Sequence, residues 1–384
     1  MSIINTTDRI IFKSFNLSNE SLSIYRISYS LYLLITGIPT FVWINNFPSA
    51  FYNPPIISLA SIFAKFPPYW FLMFISLGTC LFSILLLFGY KTRLVSLSLS
   101  LFILSGKFFN YSFGKIDHDW LLWLIPLIMA FSNWGKAYSI DSKKNNQGEN
   151  NYDNSWHVTL LALILCLAMF SAGLQKMLGG WLNISTQAVR GHLLSSYYQD
   201  GRQSLLAPFF LKLNSSLIWE FFDYAAVFFE ITFLFALIRP NLFRSYIFYA
   251  IIFHTLNLLM FNIPFSANCI AYLLFIDWNM VIDFFRKNKV LISLNKLVNV
   301  KNLVIVAICY FIFFFIVLKQ NTQESSFTVS PLNYVLKIFN SNPASNHLII
   351  GNTVIFLTLF LSIINVVYFI RNKKFKRNIG QHRL

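Results

Sequence analysis

The sequence predicts an all-α polytopic membrane protein with about ten transmembrane helices and an outer interfacial segment. Of the 384 residues, 56% are hydrophobic and 11% are charged, whereas a soluble domain carries about 25% charged residues. The chain also contains 43 Phe and 9 Trp, bulky and interfacial side chains that suit helices in lipid. A water-soluble core would leave much of this apolar surface exposed, so the predicted partner of the protein is the lipid bilayer.

The predicted spans follow from apolar stretches that approach the roughly 20 residues a membrane helix needs. They are residues 24–43, 69–88, 94–109, 118–131, 158–175, 217–238, 242–261, 267–285, 303–318 and 348–370. Residues 176–216 form the longest predicted outer segment, part of which should lie amphipathically at the interface. We divide the chain into a transmembrane domain, residues 1–285, and a C-terminal pair of spans, residues 286–384, with an outer loop and a basic cytoplasmic tail.

The basic residues predict the orientation. The formal net charge is +16, but Lys and Arg lie between the apolar stretches, which indicates topology signals rather than a nucleic-acid site. With both termini in the cytoplasm, the cytoplasmic segments hold most of the basic residues, as the positive-inside rule requires. The basic residues between 371 and 377 should then lie against anionic headgroups. Abundant Phe, Ile, Asn and Lys suggest an AT-rich bacterial genome, hence a bacterial inner membrane.

Ionisable groups inside a bilayer are costly and are candidate functional residues. In the sixth span, Glu220, Asp223 and Glu230 share one face at 100° per residue, which should point into the bundle and contact a substrate. The structural alternative is that these carboxylates hydrogen-bond to neighbouring helices. His254 and Asn257 likewise share a face of the seventh span, where they would hold a polar ligand group or simply pack.

Lys176 and His118 are the predicted proton carriers. Lys176 ends the fifth span, His118 begins the fourth, and the topology places both on the outer side of the membrane. A snorkelling lysine is the alternative for Lys176, but Ala172, Gly173, Gly179 and Gly180 favour close helix packing there. A desolvated lysine loses its proton more readily and can act as a base.

Other residues and motifs complete the prediction. Trp181, Arg190 and His192 in the outer segment are candidates for ligand or substrate contact. The sequence contains no phosphate loop, GxSxG, HExxH or CxxC motif, so soluble-type hydrolase, nucleotide and metal chemistry have no support.

Four groups of residues occur together in the order of a known family. They are Gly89-Tyr-Lys-Thr-Arg93; His118 with Trp120-Leu121 and Ala137-Tyr-Ser-Ile-Asp141; Ala172-Gly-Leu-Gln-Lys176 with Trp181; and His254, Asn257, Phe261, Phe265 and Ser266. At these positions the chain resembles the vitamin K-dependent gamma-glutamyl carboxylase and its bacterial relatives, the horizontally transferred transmembrane (HTTM) family.

The resemblance implies a set of roles. It implies that Lys176 is the base that deprotonates a reduced vitamin K (menaquinol-type quinone), that His118 assists, and that O2 and CO2 are co-substrates. Trp181, His254 and Asn257 would bind the cofactor. Independently of the resemblance, Arg190, His192, Glu220, Asp223 and Glu230 are the predicted contacts of the substrate, a secreted peptide or protein.

One departure from the family keeps two other functions open. The carboxylase carries a large lumenal domain after its membrane part, whereas this chain has a short outer loop and one more span. A bacterial relative of similar size matures a secreted toxin peptide, so the second prediction is a non-catalytic or maturation partner for a secreted peptide. The third is a proton-coupled transporter that uses Glu230 and Asp223 as a relay.

Overall fold

The computed structural model describes residues 15–56, 58–114, 118–144, 155–287, 300–320, 328–329, 331 and 349–367. Its α-helices are α1 Asn19–Thr36, α2 Tyr69–Phe88, α3 Thr92–Tyr111, α4 Leu121–Met129, α5 Ile140–Lys144, α6 Trp156–Leu178, α7 Ala188–Tyr198, α8 Ala207–Leu211, α9 Ser216–Thr232, α10 Pro240–Phe261, α11 Ser266–Tyr272, α12 Trp278–Lys287, α13 Val300–Gln320 and α14 Ile349–Val367. Two short strands, β1 Ile38–Pro39 and β2 Thr328–Val329, pair antiparallel. Apart from these two strands, the regular structure of the described residues is helical, as predicted.

Within the described residues, six helical segments are long and apolar enough to cross a membrane. They are Tyr69–Phe88, Thr92–Tyr111, Trp156–Leu178, Ser216–Ile238, Pro240–Phe261 and Ile349–Val367. Each coincides with a predicted span. The chain is thus a multi-pass membrane protein by the length and composition of these helices, and the larger number of spans stays a prediction.

The other four predicted spans are not among these six. α1 ends before Gly37 and Pro39, which interrupt the first predicted span. α4 contains Pro126 and is 9 residues long. The eighth span is divided, because the helical segment Ser266–Phe275 ends before α12 begins, and the ninth lies within α13, where Val304–Lys319 is apolar. The basic tail and most of the last outer loop lie outside the described residues.

The chain forms two compact units. One contains Asp153–Ile276 and Gly351–Val366, and the other contains Leu17–Tyr152 and Asp277–Ile350. The first unit holds α6 to α11 and the second holds α1 to α5. Lys176 belongs to the first unit and His118 to the second.

Arg26 joins several elements of the second unit. This α1 residue is fully buried, and its guanidinium donates hydrogen bonds to the carbonyls of Leu86 (2.5 Å), Leu87 (2.8 Å), Trp134 (2.9 Å) and Tyr138 (2.6 Å). The carbonyls at the end of α2 have no partner within the helix and carry its negative dipole end. Arg26 therefore neutralises the end of α2 and fixes the loop between α4 and α5 against α1.

Gly89 and Asp141 enclose this arginine. Gly89 ends α2 with φ +65°, and a Cβ there would lie 2.4 Å from the Ser139 Cβ and 2.7 Å from the Arg26 Nη1. Asp141 accepts hydrogen bonds from the backbone N–H groups of Lys91 (2.8 Å) and Thr92 (2.7 Å) and from the Thr92 hydroxyl (2.7 Å). It thus caps the start of α3, and two of the family motifs contact each other.

We expect Gly89→Ala to lower the melting temperature of the purified protein in detergent. The added methyl group meets Arg26 and Ser139, and φ is positive at this position, so the loss should be about 1–3 kcal/mol. Gly191→Ala is the matched control, because a Cβ at this α7 residue meets nothing within 4 Å. Equal melting temperatures for the two variants would contradict the packing described here.

Asp141 should contribute stability that disappears in acid. Burial raises its pKa, but hydrogen bonds from Thr92 and Lys91 and the charge of Arg26 outweigh this effect and hold the pKa below its ordinary value. A depressed carboxyl pKa stabilises the fold above the unfolded-state value, and the stability is lost as pH falls below about 4. Thermal unfolding from pH 7 to pH 3 should show this loss for the wild type and a flatter profile for Asp141→Asn.

Candidate functional site

Lys176 of α6 forms an ion pair with Glu230 of α9. Its Nζ donates to the Glu230 Oε1, and the side chains are 24% and 4% exposed. Along α9, Glu230 lies roughly 20 Å from the first residue at 1.5 Å per residue. The amine therefore lies beside the last turn of α9 rather than beside its first turn.

Gly173 brings the two helices together. One turn before Lys176, a Cβ at Gly173 would lie 2.9 Å from the Glu230 Cβ and 2.9 Å from the Ile231 backbone nitrogen. Only a residue without a side chain allows this distance between α6 and α9. The packing predicted for Gly173 is confirmed, and it sets the position of the lysine one turn later.

The neighbouring small residues do not pack in this way, so that part of the prediction is wrong. Ala172 is exposed. A Cβ at Gly179 would meet the Gln175 carbonyl of its own helix at 3.0 Å, and one at Gly180 would meet nothing within 4 Å. Gly180 instead has φ +82°, a conformation that favours glycine where the chain turns away from α6.

Two aromatic rings flank the Lys176 amine. The Nζ lies 5.2 Å from the ring centroid of Trp181 and 5.8 Å from that of Phe253, distances at which a cation is attracted to the ring face. The backbone N–H of Trp181 also donates to the Lys176 carbonyl at 3.1 Å. Lys176 and Trp181, both predicted site residues, are thus adjacent, and Phe253 was not predicted.

His254 of α10 contacts the hydroxyl of Tyr272 in the same unit. It is 4% exposed, its Nε2 lies 2.9 Å from the Tyr272 hydroxyl, and the two rings are stacked with centroids 5.7 Å apart. Asn257, one turn later on α10, is half-buried. The predicted burial of His254 is confirmed. Sequence reasoning missed Tyr272, although a tyrosine within a predicted span needs a partner for its hydroxyl.

The three acidic residues of α9 face the interior, as predicted. Glu220, Asp223 and Glu230 are 7%, 0% and 3% exposed. Both oxygens of Asp223 accept hydrogen bonds at 2.7 Å, from the backbone N–H groups of Ala188 and Val189. Asp223 therefore caps the start of α7, where the free N–H groups and the helix dipole favour a negative charge.

Glu220 and Glu230 each retain one unsatisfied oxygen. The Oε1 of Glu220 accepts a long hydrogen bond of 3.4 Å from the Gln187 backbone N–H. The Oε2 atoms of Glu220 and Glu230 are buried and have no hydrogen-bond partner within the described ranges.

The remaining predicted substrate contacts lie on α7. Arg190 is half-buried, and its Nη1 donates to the Gln187 Oε1 at 3.0 Å. His192 is exposed, with its ring 5.3 Å from that of Trp181. The structure thus brings His192 beside Trp181, while Arg190 holds the first turn of its own helix.

His118 lies in the other unit. It begins a single 3₁₀ turn, His118–Trp120, that precedes α4. The following residue, Asp119, forms an ion pair with Lys107 of α3, whose side chain is 8% exposed. The meeting of His118 and Lys176 stays a prediction. Sequence reasoning missed Lys107, although a lysine within an apolar stretch is a signal in itself.

The described part of the chain contains no group of three or more His, Cys, Asp and Glu residues placed to hold a metal ion.

The comparisons with known proteins give one match. A family model, the HTTM domain, matches residues 16–280. No curated protein and no solved structure matches the chain.

We expect Asp223→Asn to destabilise the protein. The amide replaces one of two accepting oxygens by an NH2 group that faces a backbone N–H, and loss of such a cap costs about 1–2 kcal/mol. Asp200→Asn is the control, because Asp200 is 50% exposed. The measurement is the melting temperature in detergent, and a wild-type value for Asp223→Asn would refute the capping role.

Proposed function

The chain belongs to the HTTM domain family, whose domain is found in vitamin K-dependent carboxylase-like proteins, and we propose that it is a membrane enzyme of that class with Lys176 as its base. The reaction class is quinone-linked carboxylation or epoxidation at the outer membrane face. The observation that carries the proposal is the position of the Lys176 amine, which is paired with buried Glu230 and flanked by the rings of Trp181 and Phe253.

The residues around the amine fit a reduced quinone of the vitamin K type. Trp181 and Phe253 offer aromatic surfaces to a flat ring, Lys176 offers donors, and Glu230 offers an unsatisfied acceptor. When bound, such a ring supplies an acidic hydroxyl and the electrons for reaction with O2. We propose that His254 and Asn257 contribute to holding it and that His118 assists the base, as the family resemblance implies.

Glu230 gives Lys176 a route to its neutral form. The ammonium transfers one proton to the Glu230 Oε1, which leaves an amine with a free electron pair beside a neutral carboxyl group. The amine then accepts the proton of the ring hydroxyl and becomes an ammonium again. This exchange is favoured where little water stabilises the two charges. Gly173 supports it by holding α6 close to Glu230.

The location follows from the same proposal. We propose about ten spans in a bacterial inner membrane, with both termini in the cytoplasm. The excess of Lys and Arg in the predicted cytoplasmic segments supports this orientation, and the six membrane-length helices support the multi-pass arrangement.

Maturation or binding of a secreted peptide is the second candidate function. It is favoured by the exposed His192 and Tyr198 on α7, in the predicted outer segment. Two observations would support that function: a gene for a secreted precursor beside the gene for this chain, and binding of that precursor to the wild-type protein but not to a His192→Ala variant. The transporter relay has less support, because both oxygens of Asp223 are bonded to backbone amides of α7.

We expect Lys176→Ala to lower the rate of quinol oxidation by purified protein about 100-fold or more, as general-base removal does. Lys212→Ala is the matched control, since Lys212 is an exposed lysine of the predicted outer segment. Wild-type turnover by Lys176→Ala would end the assignment of Lys176 as base.

A further inference from the structure

Glu230 has an acceptor atom that the protein leaves unsatisfied. Its Oε1 receives the Lys176 ammonium, while its Oε2 is buried and has no hydrogen-bond partner among the residues that the structure describes. A buried ionised oxygen without a donor is costly, and such atoms are few in native proteins. The Oε2 is therefore a position at which a ligand that carries a donor gains affinity.

The surroundings indicate what kind of ligand brings that donor. Lys176, which holds the other oxygen of Glu230, has the ring of Trp181 at 5.2 Å and that of Phe253 at 5.8 Å. Aromatic side chains pack favourably on flat aromatic groups. A donor attached to an aromatic ring fits both the rings and the unsatisfied oxygen.

We propose that Glu230 selects the reduced ring over the oxidised ring, an inference that rests on the proposed function. A hydroquinone carries O–H donors, whereas the quinone has only C=O acceptors. An ionised carboxylate accepts hydrogen bonds and does not donate them. Oε2 therefore binds the hydroxyl of the reduced form and repels the carbonyl of the oxidised form.

This selection also favours release of the oxidised ring. Once the ring hydroxyl is lost, Oε2 is again without a donor and the oxidised form loses affinity. Proton transfer remains compatible with binding. When Lys176 passes a proton to the Oε1, the neutral carboxyl group attracts the ring hydroxyl less, and the hydroxyl turns about its C–O bond toward the Lys176 amine.

The test is a comparison of binding affinities rather than turnover. The probes are 2-methyl-1,4-naphthoquinone and its hydroquinone, titrated anaerobically by calorimetry into protein in lipid nanodiscs, with empty nanodiscs as the blank. We expect wild-type protein to bind the hydroquinone about tenfold or more tightly than the quinone, the range of a charge-assisted hydrogen bond. In Glu230→Gln an NH2 donor replaces the Oε2, so this ratio should fall to about one or invert.

Asp200→Asn is the control. Asp200 is the acid of another ion pair of the same unit, 3.6 Å from the Arg202 Nε, and it is 50% exposed. Its ratio should equal that of the wild type. A second probe requires no variant: the dimethyl ether of the hydroquinone keeps the ring and lacks the O–H donors, so wild-type protein should bind it no more tightly than the quinone.

The outcomes separate the two proposals. Equal affinities of wild-type protein for both redox forms, a ratio unchanged in Glu230→Gln, or tight binding of the dimethyl ether would each overturn selection by Glu230, while ring binding at the site would stand. If wild-type protein binds neither redox form, the proposed quinone-linked function itself fails.

Discussion

The guanidinium of Arg26 is fully buried, and its positive charge is balanced by four backbone carbonyls. This one interaction joins α1, the end of α2 and the loop before α5. Gly89 leaves room for it, and Asp141 holds the start of α3 beside it. Since an unpaired buried cation is strongly destabilising, the packing of these elements depends on Arg26 remaining in place.

The positive charges of two lysines must also be balanced, and here carboxylates take the place of the carbonyls. Lys107 and Lys176 are balanced by carboxylates, Asp119 and Glu230 respectively. A carbonyl cannot take up a proton, whereas a carboxylate can. Arg26 is therefore suited to a structural role, whereas the pair of Lys176 and Glu230 is suited to proton transfer.

Much of this arrangement is readable from the sequence. Hydropathy located the six membrane-length helices, because a long apolar run leaves a helix few alternatives in lipid. The shared face of Glu220, Asp223 and Glu230 followed from helical periodicity. Periodicity does not reveal the partner of a side chain, however: that Asp223 caps α7, that Tyr272 meets His254 and that Glu230 meets Lys176 depend on contacts between helices distant in sequence. The lengths of the first and fourth helices were also overestimated. Gly37, Pro39 and Pro126 interrupt segments whose average hydropathy is high.

The cap formed by Asp223 has a mechanical consequence. Two hydrogen bonds of 2.7 Å fasten the beginning of α7 to α9, and α9 carries Glu230 about two turns further along. A displacement of α7 must therefore either break both bonds or carry α9 with it. In the latter case Glu230 follows the movement, so a force applied at the exposed surface of α7 reaches the carboxylate that holds Lys176.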